Sequence, residues 1–165
     1  MHETPEDLLE LQRLLDESYA SAGSHLLSIY TPERRLTAER LSELLVGVRV
    51  LNLATVTAGC EPIVGPVDGL FYRGRFWFGS AAESVRFRHI RARPAISASH
   101  TVGEELAVVV HGTAREIDLG APVEAGFRGY LIEVYGPGWE QWGGASPYAV
   151  IEPRKMFTFA METGS

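Results

Sequence analysis

Residues 49–80 read RVLNLATVTAGCEPIVGPVDGLFYRGRFWFGS, and this stretch decides the fold. Residues 50–56 are rich in apolar and β-branched side chains at strand spacing, and Ala58-Gly59-Cys60-Glu61 supplies a turn. Residues 63–72 form the return strand. Arg73-Gly74 marks a tight hairpin, after which Phe76, Trp77 and Phe78 climb back as a third strand that stops at Gly79-Ser80. Proline has no N–H to give to a ladder, so Pro66 predicts an edge or a bulge in the second strand.

Upstream, residues 4–19 read as a helix. Thr4 can cap it, Pro5 suits its first position, and Glu6 and Asp7 complement the positive end of its dipole. Leu8, Leu11, Leu15 and Tyr19 give it an apolar stripe. Residues 21–35, with Gly23 and Pro32, read as a connecting arm, and a second helix starts near Thr37. Downstream, residues 82–91 are helical and closed by Pro94. Strands over 95–101 and 106–117 flank Gly103-Glu104. Residues 122–135 form a helix, 136–147 a loop rich in Gly, Pro and Trp, and 148–160 a last strand. Strands dominate, pair as hairpins, and lack the alternating long helices of a doubly wound sheet. The fold class is therefore mainly β: an antiparallel barrel with peripheral helices. The chain divides into an N-terminal helix and arm, 1–36, and a barrel domain, 37–165.

A chain of 165 residues suits one core, and 45% hydrophobic with 22% charged residues is ordinary for a globular protein. The net charge of −6 argues against a nucleic-acid binder. It hides an asymmetry: acidic residues crowd the first helix, basic ones the stretch 73–93. The single Cys60 excludes an intramolecular disulfide. No apolar run reaches the roughly 18 residues a membrane span needs. The start lacks the features of a secretory signal, so a cytoplasmic protein is expected. No glycine-rich dinucleotide fingerprint is present.

The segment Gly79-Ser80-Ala81-Ala82-Glu83-Ser84-Val85-Arg86 carries the chemistry. A strand that ends and opens into a helix leaves backbone N–H groups and a dipole that both favour an anion. Ser80 and Ser84 add hydroxyls, and Arg86, Arg88 and Arg91 add cationic donors. On the residues alone, an equal reading has Ser80 capping the helix and the arginines forming a solvated face. Trp142 and Trp139 can cover a flat ligand or plug a barrel end or dimer seam. Asp68 with Tyr72 can form a proton relay, or Asp68 can bond backbone near Pro66. His100 and His111 lie on facing strands, but only Glu104 or Glu105 could add a third ligand, so no metal site is assigned. One of these histidines could still serve as an axial haem ligand.

The runs Leu53-Ala54-Thr55-Val56, Glu61-Pro62-Ile63-Val64-Gly65-Pro66-Val67-Asp68-Gly69, Phe76-Trp77-Phe78-Gly79-Ser80, Ser84-Val85-Arg86 and Arg93-Pro94-Ala95-Ile96-Ser97 together resemble the pyridoxamine 5′-phosphate oxidase-like family. This is the FMN-binding split barrel, which includes deazaflavin (F420)-dependent reductases. The resemblance covers residues 41–114, with an echo at 151–157. It implies a six-stranded antiparallel split barrel, a homodimer, and a cofactor at the subunit interface. By that match Ser80, Ser84 and Arg86 are phosphate ligands, with Gly79 and Val85 beside them. Pro66, Val67 and Asp68 pass beside the ring, Phe78 lies on the strand leading to it, and Trp142 is taken as a covering residue. The family's oxidase proper carries a basic strand where this chain has residues 63–68, which points away from pyridoxamine phosphate oxidation. The implied function is a flavin- or deazaflavin-dependent oxidoreductase using FMN or F420, with no catalytic side chain assigned. The alternative is a non-catalytic binding or storage protein for a cofactor or haem on the same fold. A third reading is a barrel that has lost its ligand and serves as an interaction module.

Overall fold

The computed structural model describes residues 1–161, so the end of the 37–165 unit, residues 162–165, lies outside the described residues. Six antiparallel strands close a barrel in the order β1-β2-β3-β6-β5-β4. They are β1 (Val48–Val56), β2 (Pro62–Tyr72), β3 (Arg75–Gly79), β4 (Ala95–Val102), β5 (Leu106–Ile117) and β6 (Tyr148–Ala160). The β2–β3 hairpin turns through Arg73 and Gly74, both at positive φ (52° and 74°). This matches the right-handed twist of the strands it joins. Helices α1 (Pro5–Ala20), α2 (Ser24–Ile29), α3 (Ala38–Leu44), α4 (Val85–Ala92), α5 (Ala125–Tyr135) and α6 (Trp139–Trp142) surround the barrel. No helix among the described residues is long and apolar enough to cross a membrane.

The barrel is split because β3 is short. It joins β2 only over Gly69–Tyr72 and β6 only over Tyr148–Val150. One free edge is therefore residues 62–68 of β2, which pair with β1 alone. The Thr57 N–H bonds the Glu61 carbonyl (3.0 Å) across the β1–β2 turn. Alternation along an antiparallel ladder then aims the backbone of residues 62, 64, 66 and 68 away from β1. Pro62 and Pro66 both fall on this outward set, so neither removes a ladder bond. The edge expected at Pro66 is present. The register slips elsewhere, between His111 and Gly112 of β5.

The other free edge, on β6, is covered by α1. Ser18 Oγ accepts the Met156 N–H (2.9 Å), and Tyr19 Oη accepts the Thr158 N–H (2.9 Å) while donating to the Thr158 carbonyl (2.8 Å). Leu11, Leu15 and Tyr19 join the same core as Leu51, Phe76 and Met156. The apolar stripe read from sequence thus docks on this barrel. A second core lies under α5, where Trp77 stacks on Phe127 at 4.2 Å.

Three boundaries differ from the sequence reading. The arm over 21–35 holds α2 and a 3₁₀ turn at Pro32–Arg34, and the loop 136–147 holds α6. The helix expected over 82–91 begins at Val85, because residues 80–84 form an irregular turn in which the Ser84 N–H bonds the Ala81 carbonyl (2.9 Å).

Candidate cofactor-binding site

Ser84 caps α4, its Oγ accepting the Phe87 N–H at 3.2 Å. The hydroxyl proton remains free to donate, and the N–H groups of Val85 and Arg86 open the helix toward an anion. Ser80, four residues earlier, is not a cap. Its hydroxyl instead accepts from Arg86 Nη1 at 3.1 Å. Arg86 Nη2 donates to the Pro66 carbonyl at 2.9 Å, an acceptor on the free edge of β2. Gly65 lies beside this reach, and a Cβ there would make an ordinary contact, 3.4 Å from Nη2. One guanidinium therefore ties together Pro66, Ser80 and the start of α4.

That guanidinium is half-buried, and burial pulls its pKa below the ordinary arginine value. Its side-chain hydrogen bonds go to two neutral acceptors, with no carboxylate partner among the described residues. Arg91 differs. It grips Glu116 through Nε and Nη2 at 2.8 and 2.9 Å and so is not available as a phosphate donor. Arg88 is exposed on α4 and touches neither groove described next.

Two grooves flank the Arg86 strut. The first, about 240 Å³, lies between β2 and α4 and is lined by Leu53, Thr55, Ile63, Val64, Gly65, Ser84, Val85 and Arg86. Its floor is fixed by Thr55, whose Oγ1 is 2.9 Å from His89 Nδ1. The second, about 200 Å³, is lined by Asp68, Gly79, Ser80, Ala81, Tyr135, Trp142, Gly143, Ser146 and Tyr148. A further groove, between α1 and β6, holds none of these residues, and its Arg73 and Arg75 are satisfied by Asp7 and Glu152 at 2.9 Å each.

In the second groove Trp139 Nε1 donates to Tyr148 Oη (3.2 Å), which leaves the Tyr148 hydroxyl proton to point elsewhere. Tyr135 Oη donates to Asp68 Oδ2 at 3.5 Å. Burial, and after it the Asp68 carboxylate, pushes both phenols above their ordinary range, so both keep their protons. Trp142, 65% exposed, stands edge-on to Tyr135 at 5.5 Å. Trp139 is buried in the second core, as a plug.

The sequence-read residues thus separate. Pro66, Asp68, Gly79, Ser80, Ser84, Val85, Arg86 and Trp142 gather around the strut and its two grooves. Val67 and Phe78 do not: both side chains point into the barrel core, so either could meet a ligand only through backbone. The tyrosine that meets Asp68 is Tyr135, not Tyr72, which packs against Phe127 and Tyr130. His100 and His111 do not approach each other. His100 is buried with Nδ1 3.0 Å from the Val50 carbonyl, whereas His111 lies on the outer face 2.7 Å from Ser97 Oγ. Gly65, Tyr135, Ser146 and Tyr148 also line the grooves and were given no site role from the sequence. Tyr135 and Tyr148 flank the Trp-rich loop, which is the sequence signal for them.

Gly79 has a steric reason to be glycine. A Cβ there would sit 2.8 Å from the Tyr148 ring. The Gly79→Ala variant is expected to lose about 1–3 kcal/mol of stability by overpacking and to weaken ligand binding by displacing Tyr148. Thermal melts and ligand titration of the variant check both effects.

No protein-family model matches the sequence, and no curated protein is significantly similar to it. Solved structures share the fold. A FAD-binding protein from Mesorhizobium loti is 20% identical over 76% of this chain and 93% of its own, with a TM-score of 0.60. An F420 reductase is 20% identical over 70% of this chain and 94% of its own, TM-score 0.54. The haem storage protein HutZ from Vibrio cholerae is 15% identical over 79% and 94%, TM-score 0.60. The architecture is therefore the split barrel, as the sequence resemblance implied.

Proposed function

We propose that this protein binds a flavin or deazaflavin by its phosphate and acts as a cytoplasmic oxidoreductase. The observation that carries the reading is Arg86: a half-buried cation with only neutral partners among the described residues, beside a capped helix start, on the rim of the first groove and bonded to Ser80 of the second. A phosphate supplies the missing negative charge. Two of the five guanidinium N–H groups are used by Ser80 and Pro66, which leaves donors for it. The residues present fit the group.

Arg86, the Ser84 hydroxyl and the first N–H groups of α4 would hold the phosphate. Asp68, Gly79 and Trp142, which line the second groove, would hold the ring. Gly79 admits Tyr148 to that groove, and Tyr148 and Tyr135 present protonated hydroxyls there. When bound, the cofactor supplies the two-electron chemistry. The protein binds it, shields it from water and selects the second substrate. The F420 reductase and FAD-binding neighbours support this reading.

The same proposal includes a homodimer. Val50, Asn52, Ala54, Ser97, Ser99 and Val109 form a contiguous outer face across β1, β4 and β5 without one charged side chain. Depletion of charge is the mark of an interface core. Sedimentation is expected to give twice the chain mass; a monomer at micromolar concentration contradicts it.

A second reading, haem binding without catalysis, is favoured by the haem storage neighbour. The outer-face His111 suits it, since burial and the nearby Arg154 and Lys155 lower its pKa and keep the imidazole neutral. The visible spectrum of protein loaded with each cofactor separates the readings. Flavin or deazaflavin uptake with substrate-dependent bleaching supports the first. Uptake of haem alone supports the second.

A further inference from the structure

The second groove carries a single charge. Asp68 is the only charged side chain among the described residues that line it. Its carboxylate is exposed, and Tyr135 Oη donates to Oδ2 at 3.5 Å. Tyr135 and Tyr148 both keep their protons, so neither phenol adds a charge. The carboxylate helps to push both phenols upward, which puts it within electrostatic reach of each. Arg86, which bonds Ser80 of this groove, has its charge met by the phosphate in the reading proposed above. A flat ligand in the second groove therefore lies beside an unbalanced negative charge.

We infer that Asp68 sets the redox poise of a flavin bound in this groove, biasing the ring toward its oxidised form. The inference rests on the flavin reading proposed above, with the ring in the second groove. Two electrons and one proton reduce a flavin and leave its ring with one negative charge. A fixed carboxylate repels that charge and acts little on the neutral oxidised ring, so it favours oxidation. The two phenols bring hydroxyl dipoles but no compensating cation. Water and salt screen an exposed carboxylate, which keeps the effect modest. It is about tenfold in the ratio of reduced to oxidised flavin, or roughly 30 mV for a two-electron couple. The reduced ring returns to the neutral oxidised form when a hydride leaves it, so this poise suits delivery of a hydride to the second substrate.

The test measures the ratio of reduced to oxidised FMN on the full chain, poised against a reference dye during slow reduction with dithionite. In Asp68→Asn that ratio at a given poise is expected to rise about tenfold over the wild type, and the gap to narrow at high salt. Asp68→Glu keeps the charge and is expected to stay near the wild-type ratio, which a merely structural role would not predict. Asp68→Ser carries the same expectation as asparagine should that variant fail to fold. A ratio in the neutral variant equal to or below that of the wild type, or an equal rise in Asp68→Glu, overturns the inference and leaves the phosphate site standing. Neutral variants that fold but take up no FMN make Asp68 a group needed for binding and also overturn it. Wild-type protein that takes up no FMN overturns both readings.

Discussion

Arg86→Ala is expected to weaken FMN binding about ten- to a hundredfold, the scale of a lost charge-assisted hydrogen bond to a buried anion. The size follows from the surroundings. The guanidinium is held by Ser80 and Pro66 in one orientation, so it binds without first losing rotamer freedom. No neighbouring cation can replace it, since Arg91 is committed to Glu116. Lysine should rescue poorly: one ammonium cannot span Ser80, Pro66 and a phosphate in the way a planar fork does. Stability should change little, because the variant also removes a half-buried charge without a counter-ion. Ser84→Ala differs in kind. It loses the cap of α4 and is expected to cost about 1 kcal/mol of stability with a smaller loss of affinity. Fluorescence titration with parallel thermal melts separates the two behaviours.

Gly112→Ala is expected to be the most destabilising single methyl group. Gly112 sits at the register slip between β5 and β6, where any Cβ would collide with the backbone carbonyl of Glu152. Backbone cannot rotate aside as a side chain can, so the strands must part. A loss of about 3 kcal/mol lowers Tm by roughly 6–12 °C in a domain of this size. Gly129→Ala is the internal control. That glycine lies in the exposed face of α5 with open space around it, and alanine should stabilise the helix by about 0.5–1 kcal/mol. A scanning melt in which both variants fall equally would contradict the steric account.

The sequence was most legible where one local rule decided the outcome. Thr4, Pro5 and Asp7 announce the start of α1, and Arg73-Gly74 announces a hairpin. Alternation and turn residues located all six strands to within about two residues of their ends. Pro66 was read as an edge or a bulge, and the edge is what stands there, since a missing N–H is a property of the residue itself. What depends on packing stayed hidden. Ser80 and Ser84 looked alike in sequence, yet only Ser84 caps, because the turn of residues 80–84 delays the helix. Val67 and Phe78 carried the family pattern but face the core, as strand alternation alone could not say without knowing which face was buried. Tyr135 and Asp68 are 67 residues apart and meet only through the β2–α5 geometry. Arg86 stood out as one of three arginines. Its lack of a carboxylate partner, which distinguishes it from Arg91, is a tertiary fact.

The central claim is that the Arg86 strut recognises the phosphate of a flavin. Its most direct test compares FMN with riboflavin, which has the same ring and no phosphate, on the wild type and on Arg86→Ala. The account predicts that the wild type prefers FMN by at least about tenfold and that the preference disappears in the variant. Riboflavin binding as tightly as FMN, or a preference that survives the loss of Arg86, would contradict it.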